Sequence, residues 1–307
     1  MFMRILLPLD GTSRAEEAIP LARKLASESG AQVYLLHVDT SPAPAATNSA
    51  IARRFQEIAT ELRRAGVEAH VLSVNGQTPT TIAAVAEIHD IDLIVMAPEA
   101  RGAFGMLRRP SVTAGVLAKS PTPTLIAPIY TEGASFPMLD SSSDMVIVPL
   151  DGSALAEQAL PLAVNLAERY HCGLLLTRVI PPIQAVMAGP GVYPLPADMA
   201  AAELTETQTY LHRMKQQIQQ SSKIPVEWVA LSGIPATELL AFIETKPGSV
   251  VVMSTHGRSG FARFMLGSVA LELARKTSAP LFIVPATSGS TSKGGAATAQ
   301  PEGQPVA

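Results

Sequence analysis

Ser254, Gly257, Gly267 and Ser268 lie in one stretch, between the apolar run SVVVMS (249–254) and the helically spaced VALELARK (269–276). Glycines in a loop leading from a buried strand into a helix let the backbone approach a ligand closely and adopt positive φ. The N–H groups and positive dipole end of such a helix suit one kind of chemistry, the holding of an anion, phosphate above all. Ser268 adds a hydroxyl donor. As a plain N-cap it would contribute about 1 kcal/mol, and the two roles are compatible. Loop geometry and helix entry are the plain alternative for both glycines. His256 sits beside the loop, where a surface role is equally open, and Arg258 is the better phosphate candidate among the neighbouring cations.

Other phosphate and nucleophile patterns are absent. The chain has no GxxxxGK[ST], no GxGxxG after its first strands and no GxSxG. It has no HIGH-type or SGGxDS-type stretch that adenylyl transfer would need. Its histidines show no metal-ligand spacing, and Cys172, the single cysteine, reads as a small buried hydrophobe. A formal net charge of −3 gives no electrostatic case for nucleic acid or an anionic membrane. No apolar run approaches the roughly 18 residues of a membrane helix. The opening MFMRILLPLD does not read as a signal peptide, because its apolar run is short and ends at Asp10. The expectation is a cytoplasmic protein.

The elements that must carry the glycine loop occur twice. PLDGTSRAEEAIPLARKLA (8–26) and PLDGSALAEQALPLAVNLA (149–167) share 12 of 19 positions without a gap. DLIVMAPEARGAFGMLRRPSV (92–112) likewise matches SVVVMSTHGRSGFARFMLGSV (249–269). The spacing between copies grows from 141 to 157 residues, so the second copy has gained about 16. The Gly- and Pro-rich segment 183–200 accounts for them and reads as a long loop, placed to act as a lid. Each copy alternates short apolar runs with helical spacing, which predicts an α/β fold of two tandem Rossmann-like domains. Each is a five-stranded parallel sheet with helices on both faces. Strands are expected near 4–9, 32–38, 68–74, 92–97 and 124–128, and again near 145–150, 173–179, 226–231, 249–254 and 280–284. Pro20 and Pro161 predict a kink in the helix after each first strand. The expected domains are 1–129 and 145–286, with a linker over 130–144 and a disordered tail over 287–307.

On these residues the chain resembles a tandem universal stress protein, over nearly all of 1–286. That family carries G-x2-G-x9-G-[ST] after its fourth strand, and many members bind ATP there. The second copy reads Ser254-x2-Gly257-x9-Gly267-Ser268, followed by Val269, and departs from the pattern at Ser254. The family's first-strand signature stands as Pro149-Leu150-Asp151-Gly152, and the valine ending its second strand corresponds to Val179. The resemblance implies an adenine nucleotide as partner, with Asp151 near adenine and ribose; ending the strand and capping the next helix is the plain alternative for Asp151. ATP would bring Mg2+, and turnover would be that of a weak ATPase at most. A scaffold of the same fold that uses no nucleotide is the alternative. In the first copy the element is degraded to Ala97-x2-Ala100-x9-Pro110-Ser111, with Glu99 nearby, so that copy is expected to be a structural partner and Asp10 a structural residue. The family's fifth strands pair across a two-fold axis. The equivalents here, TPTLIAP (122–128) and APLFIVP (279–285), predict an intramolecular pseudo-dimer, and a homodimer of whole chains stays open.

Overall fold

The computed structural model describes residues 2–40, 48–98, 111–128, 138–139, 143–182, 197–255 and 267–286. The first half runs β1 (Arg4–Pro8), α1 (Ser13–Glu16), α2 (Ile19–Ser29), β2 (Gln32–Asp39), α3 (Asn48–Arg64), β3 (Ala69–Asn75), α4 (Thr78–Ile88), β4 (Leu93–Met96), α5 (Val112–Lys119) and β5 (Thr124–Ile126). The second half repeats the order: β6 (Met145–Pro149), α6 (Ala154–Glu157), α7 (Leu160–Arg169), β7 (Gly173–Ile180), α8 (Ala197–Ser221), β8 (Val226–Ser232), α9 (Pro235–Glu244), β9 (Val250–Ser254), α10 (Ser268–Lys276) and β10 (Leu281–Val284).

All ten expected strands are present, and they join into one sheet of order β3-β2-β1-β4-β5-β10-β9-β6-β7-β8. Pairing is parallel within each half and antiparallel only where β5 meets β10. Strands covered on both faces need continuous apolar runs. Val146, Ile147 and Val148 in β6 and Val250, Val251 and Val252 in β9 accordingly have no exposed surface. One face packs on α2, α3, α7 and α8 through Leu21, Phe55, Leu166 and Leu211. The other packs on α4, α5, α9 and α10 through Ile82, Val116, Leu239 and Leu273.

Three expectations need correction. The helix after each first strand is broken rather than kinked. Pro20 and Pro161 stand in the first turns of α2 and α7, where a missing N–H forfeits no hydrogen bond. The loop read over 183–200 is shorter, because its last residues open α8; residues 183–196 lie outside the described set. The segment read as a linker over 130–144 contains Met138 and Leu139, both buried, and Leu139 donates its N–H to the Gly248 carbonyl at 2.9 Å. The tail over 287–307 also lies outside the described residues. Cys172 is buried, which pushes its thiol up to about 11. Among the described residues no helix is long and apolar enough to cross a membrane.

The seam between halves pairs Leu281 with Ile126, Phe282 with Leu125 and Ile283 with Thr124. Phe282 stacks on Phe2 of the first half, ring centroids 6.1 Å apart. Beyond the sheet, the Tyr170 hydroxyl donates to the Glu28 carboxylate at 2.5 Å. Ile283 is fully buried. Ile283→Lys therefore places an unpaired charge in the seam and is expected to destabilise the chain by about 3 kcal/mol or more. A urea-unfolding midpoint equal to that of the unaltered protein would show that the seam does not hold the halves together.

Candidate functional site

In each half the chain lays strands outward in one direction and then returns to build on the other side of the first strand. Ligand clefts form at such a reversal, beyond the carboxyl ends of the strands. The local geometry shows why. β6 pairs with β9 at Val146–Val250 and Ile147–Val251. Both strands continue past that point, to Pro149 and Ser254, paired with β7 and β10 but no longer with each other. The gap is a cleft of about 280 Å³. Pro149, Asp151, Val179, Ser254, Gly267, Ser268 and Val269 all line it. Of the residues singled out in the sequence, Gly257, His256 and Arg258 lie outside the described set, as do Glu99, Ala100 and Pro110 of the first half.

β6 ends in a turn fixed by hydrogen bonds. Leu150 donates its N–H to the Thr177 carbonyl at 2.7 Å. Gly152 follows with φ 88°, a left-handed conformation that favours glycine. Asp151 Oδ1 accepts from the Ser153 N–H at 2.9 Å and its hydroxyl at 2.6 Å, and Ser153 Oγ caps α6 through the Ala156 N–H at 3.1 Å. The first half repeats every part. Asp10 accepts from both donors of Thr12, Gly11 has φ 82°, and Thr12 caps α1. The turn-holding role expected for Asp10 thus belongs to Asp151 as well, and Asp151 additionally faces the cleft.

The helix starts differ between halves. Gly267 is the N-cap of α10, with no side-chain cap hydrogen bond, and Ser268 is the first helical residue. The reading of Ser268 as N-cap is therefore off by one position. Gly267 has φ −58°, so the left-handed freedom expected of it is unused. What glycine supplies is the absence of a side chain that would compete for the first-turn N–H groups. In the first half Ser111 caps α5, its Oγ accepting from the Ala114 N–H at 3.1 Å. The Gly267 N–H donates to the Thr255 carbonyl at 2.8 Å. Position 110, opposite Gly267 in the repeat, is proline and has no N–H to give. There the Pro98 carbonyl, counterpart of that of Thr255, accepts from Arg14 Nε at 2.9 Å instead. Arg14 thus reaches to the carboxyl end of β4, while its counterpart in the second half is Leu155.

Thr177 and Arg178 are among the lining residues that escaped the sequence reading. Thr177 is fully buried, and its Oγ1 has no hydrogen-bond partner among the described residues. A buried hydroxyl left unpaired on a cleft wall is a polar group awaiting a partner. Arg178 also lines the cleft, with 5% of its side chain exposed. Its sequence signal was a lone cation in the apolar strand GLLLTRVI.

A family model described as the universal stress protein family matches residues 1–128 and 143–285. The chain is similar to a universal stress protein of Methanocaldococcus jannaschii, 28% identical over 140 residues, covering 45% of this chain and 80% of that protein. It is similar to one of Mycobacterium tuberculosis, 24% identical over 205 residues, covering 66% of this chain and 65% of that protein. In shape it is similar to the crystal structure of a universal stress protein from Archaeoglobus fulgidus, with a TM-score of 0.67 at 19% identity, over 93% of this chain and 97% of that one. A universal stress protein from Archaeoglobus fulgidus in complex with dAMP covers 41% of this chain at 23% identity, with a TM-score of 0.34.

The unequal helix starts give a direct expectation. Ser111→Ala removes a cap and should cost about 1 kcal/mol. Ser268→Ala removes none and should stay within about 0.5 kcal/mol. Equal losses of urea midpoint for the two variants would contradict the assignment of the caps.

Proposed function

The chain belongs to the universal stress protein family, and on that premise we propose that its second half binds an adenine nucleotide, ATP foremost, in the cleft between β6 and β9. The observation that carries the reading is convergence. Seven positions chosen from sequence alone line one cleft, and its α10 end has no capping side chain. Phosphates would lie against the first-turn N–H groups of α10, where donors and dipole favour negative charge. Mg2+ would travel with the ATP phosphates. The nucleoside would occupy the wall of Val179, Pro235, Leu239 and Met253, within reach of Asp151 and the unpaired Thr177 hydroxyl. The reading assigns binding and names no catalytic residue.

The first half, 1–129, serves on this reading as a structural partner of the second, 145–286. Ser111 on the α5 start, Arg14 at the end of β4 and the missing N–H of Pro110 support that division. A second reading, a scaffold that takes no nucleotide, draws support from Ser254. This buried residue stands where the family's pattern has its first glycine.

A thermal-shift titration of nucleotide-free protein with ATP and Mg2+ separates the two. A ligand at 100 times its Kd stabilises by about 2.7 kcal/mol, so the melting temperature should rise and saturate. Gly267→Val should abolish the rise. Its backbone angles suit any residue, so the variant should fold, and Pro110→Val should leave the rise intact. No rise in the unaltered protein, or a rise that survives Gly267→Val, would favour the scaffold.

A further inference from the structure

A second cleft, of about 620 Å³, lies against α8 and is lined by Gly152, Thr205, Glu206, Thr209 and two arginines, Arg178 and Arg213, with Tyr210 between them. Alternation along β7 sends Leu174 and Leu176 into the core under α7 and α8, and Arg178 follows them onto that face. Its guanidinium lies over the Tyr210 ring, 5.2 Å from the centroid. Arg213, one turn further along α8, lies over the same ring at 5.5 Å. The ring is held by its hydroxyl, which donates to Glu157 at 3.0 Å. Two like charges thus converge on one aromatic residue.

Among the described residues their neutralisation is incomplete. Arg178 is 5% exposed, and the carboxylate set against it is Glu206, at 3.9 Å and 74% exposed. That distance is beyond hydrogen-bond reach, and a solvated carboxylate so far away offsets little of the cost of a buried cation. The first half shows what a matched pair looks like. There Glu16, the counterpart of Glu157, accepts from Arg54 Nε at 3.0 Å and Nη2 at 2.7 Å, in fork geometry. In the second half the Tyr210 hydroxyl engages that glutamate, and the arginines face the cleft.

We propose that Arg178 and Arg213 form a binding site for the phosphate group of a small phosphorylated molecule, on the α8 side of the sheet. Guanidinium forks match phosphate oxygens, and both of these lie over the Tyr210 ring on one cleft wall. The volume beyond them leaves room for an organic group on the ester. Glu206, largely exposed, swings outward as phosphate takes its place. Arg178 lines both clefts, but this site does not rest on the nucleotide reading.

Calorimetric titration of the full chain with inorganic phosphate and with ribose 5-phosphate, at constant ionic strength set by chloride, tests the site. Saturable binding of phosphate is expected, and the arm with the lower Kd identifies the free ion or the ester as the better occupant. Arg213→Ala, a change at an exposed position, should weaken binding at least about tenfold, or 1.4 kcal/mol. Arg178→Lys, which keeps charge and loses the fork, should weaken it as well. Gly267→Val should leave it unchanged. Absence of saturable binding, or binding lost in Gly267→Val and kept in Arg213→Ala, overturns the proposal.

Discussion

Neighbouring parallel strands can stay paired only while the chain keeps its elements packed on both sides of them. Where the order of strands reverses, between β1 and β4 and again between β6 and β9, the carboxyl ends part and leave a gap. The rest of the molecule follows from how the two gaps are treated. In the first half, Arg14 donates to the carbonyl at the end of β4 and a serine hydroxyl covers the helix start. In the second, the corresponding carbonyl is satisfied by a backbone N–H of the glycine loop, and the helix start has no side-chain cap. One architecture thus yields one helix start capped by a serine hydroxyl and one whose N-cap is a glycine.

The halves can specialise because they share one sheet. The β5–β10 seam turns two edges into interior strands, which removes the exposed apolar edges that either half would otherwise present. Core residues of both halves then belong to the same two layers, one on each face. Each half thus contributes stability to the other through the shared sheet. The α8 face adds a separate feature. A glutamate matched by arginine in the first half is matched by tyrosine in the second, and two arginines gather on that ring.

Much of this was legible in the sequence, for identifiable reasons. The apolar runs located the strands because a strand covered on both faces is built mostly of apolar residues. The repeat of Pro-Leu-Asp-Gly fixed the turn geometry, since Gly11 and Gly152 both take the left-handed conformation. What was not legible depended on neighbours distant in sequence. For Asp151 a role near the ligand and a role at the strand end stood side by side, and the hydrogen bonds of Thr12 and Ser153 show that its turn is the one Asp10 makes. The prolines at 20 and 161 were read as kinks, because periodicity does not distinguish a bent helix from two helices meeting at a proline-tolerant first turn. The start of α10 was misread by one residue, since Gly and Ser are both acceptable caps and the choice is set by the tie from Gly267 to Thr255. The places of Arg14 and Arg178 were invisible until the fold set the first against the Pro98 carbonyl and the second on the cleft wall.

The central claim is that the two halves differ in their main-chain donors to a nucleotide. Amide NMR of the isotopically labelled chain during an ATP and Mg2+ titration addresses it residue by residue. The account predicts large, saturable shifts of the Gly267, Ser268 and Val269 N–H signals, with those of Ser111 and Ala114 unmoved. Shifts confined to Ser111 and Ala114, or none at either helix start, would contradict it.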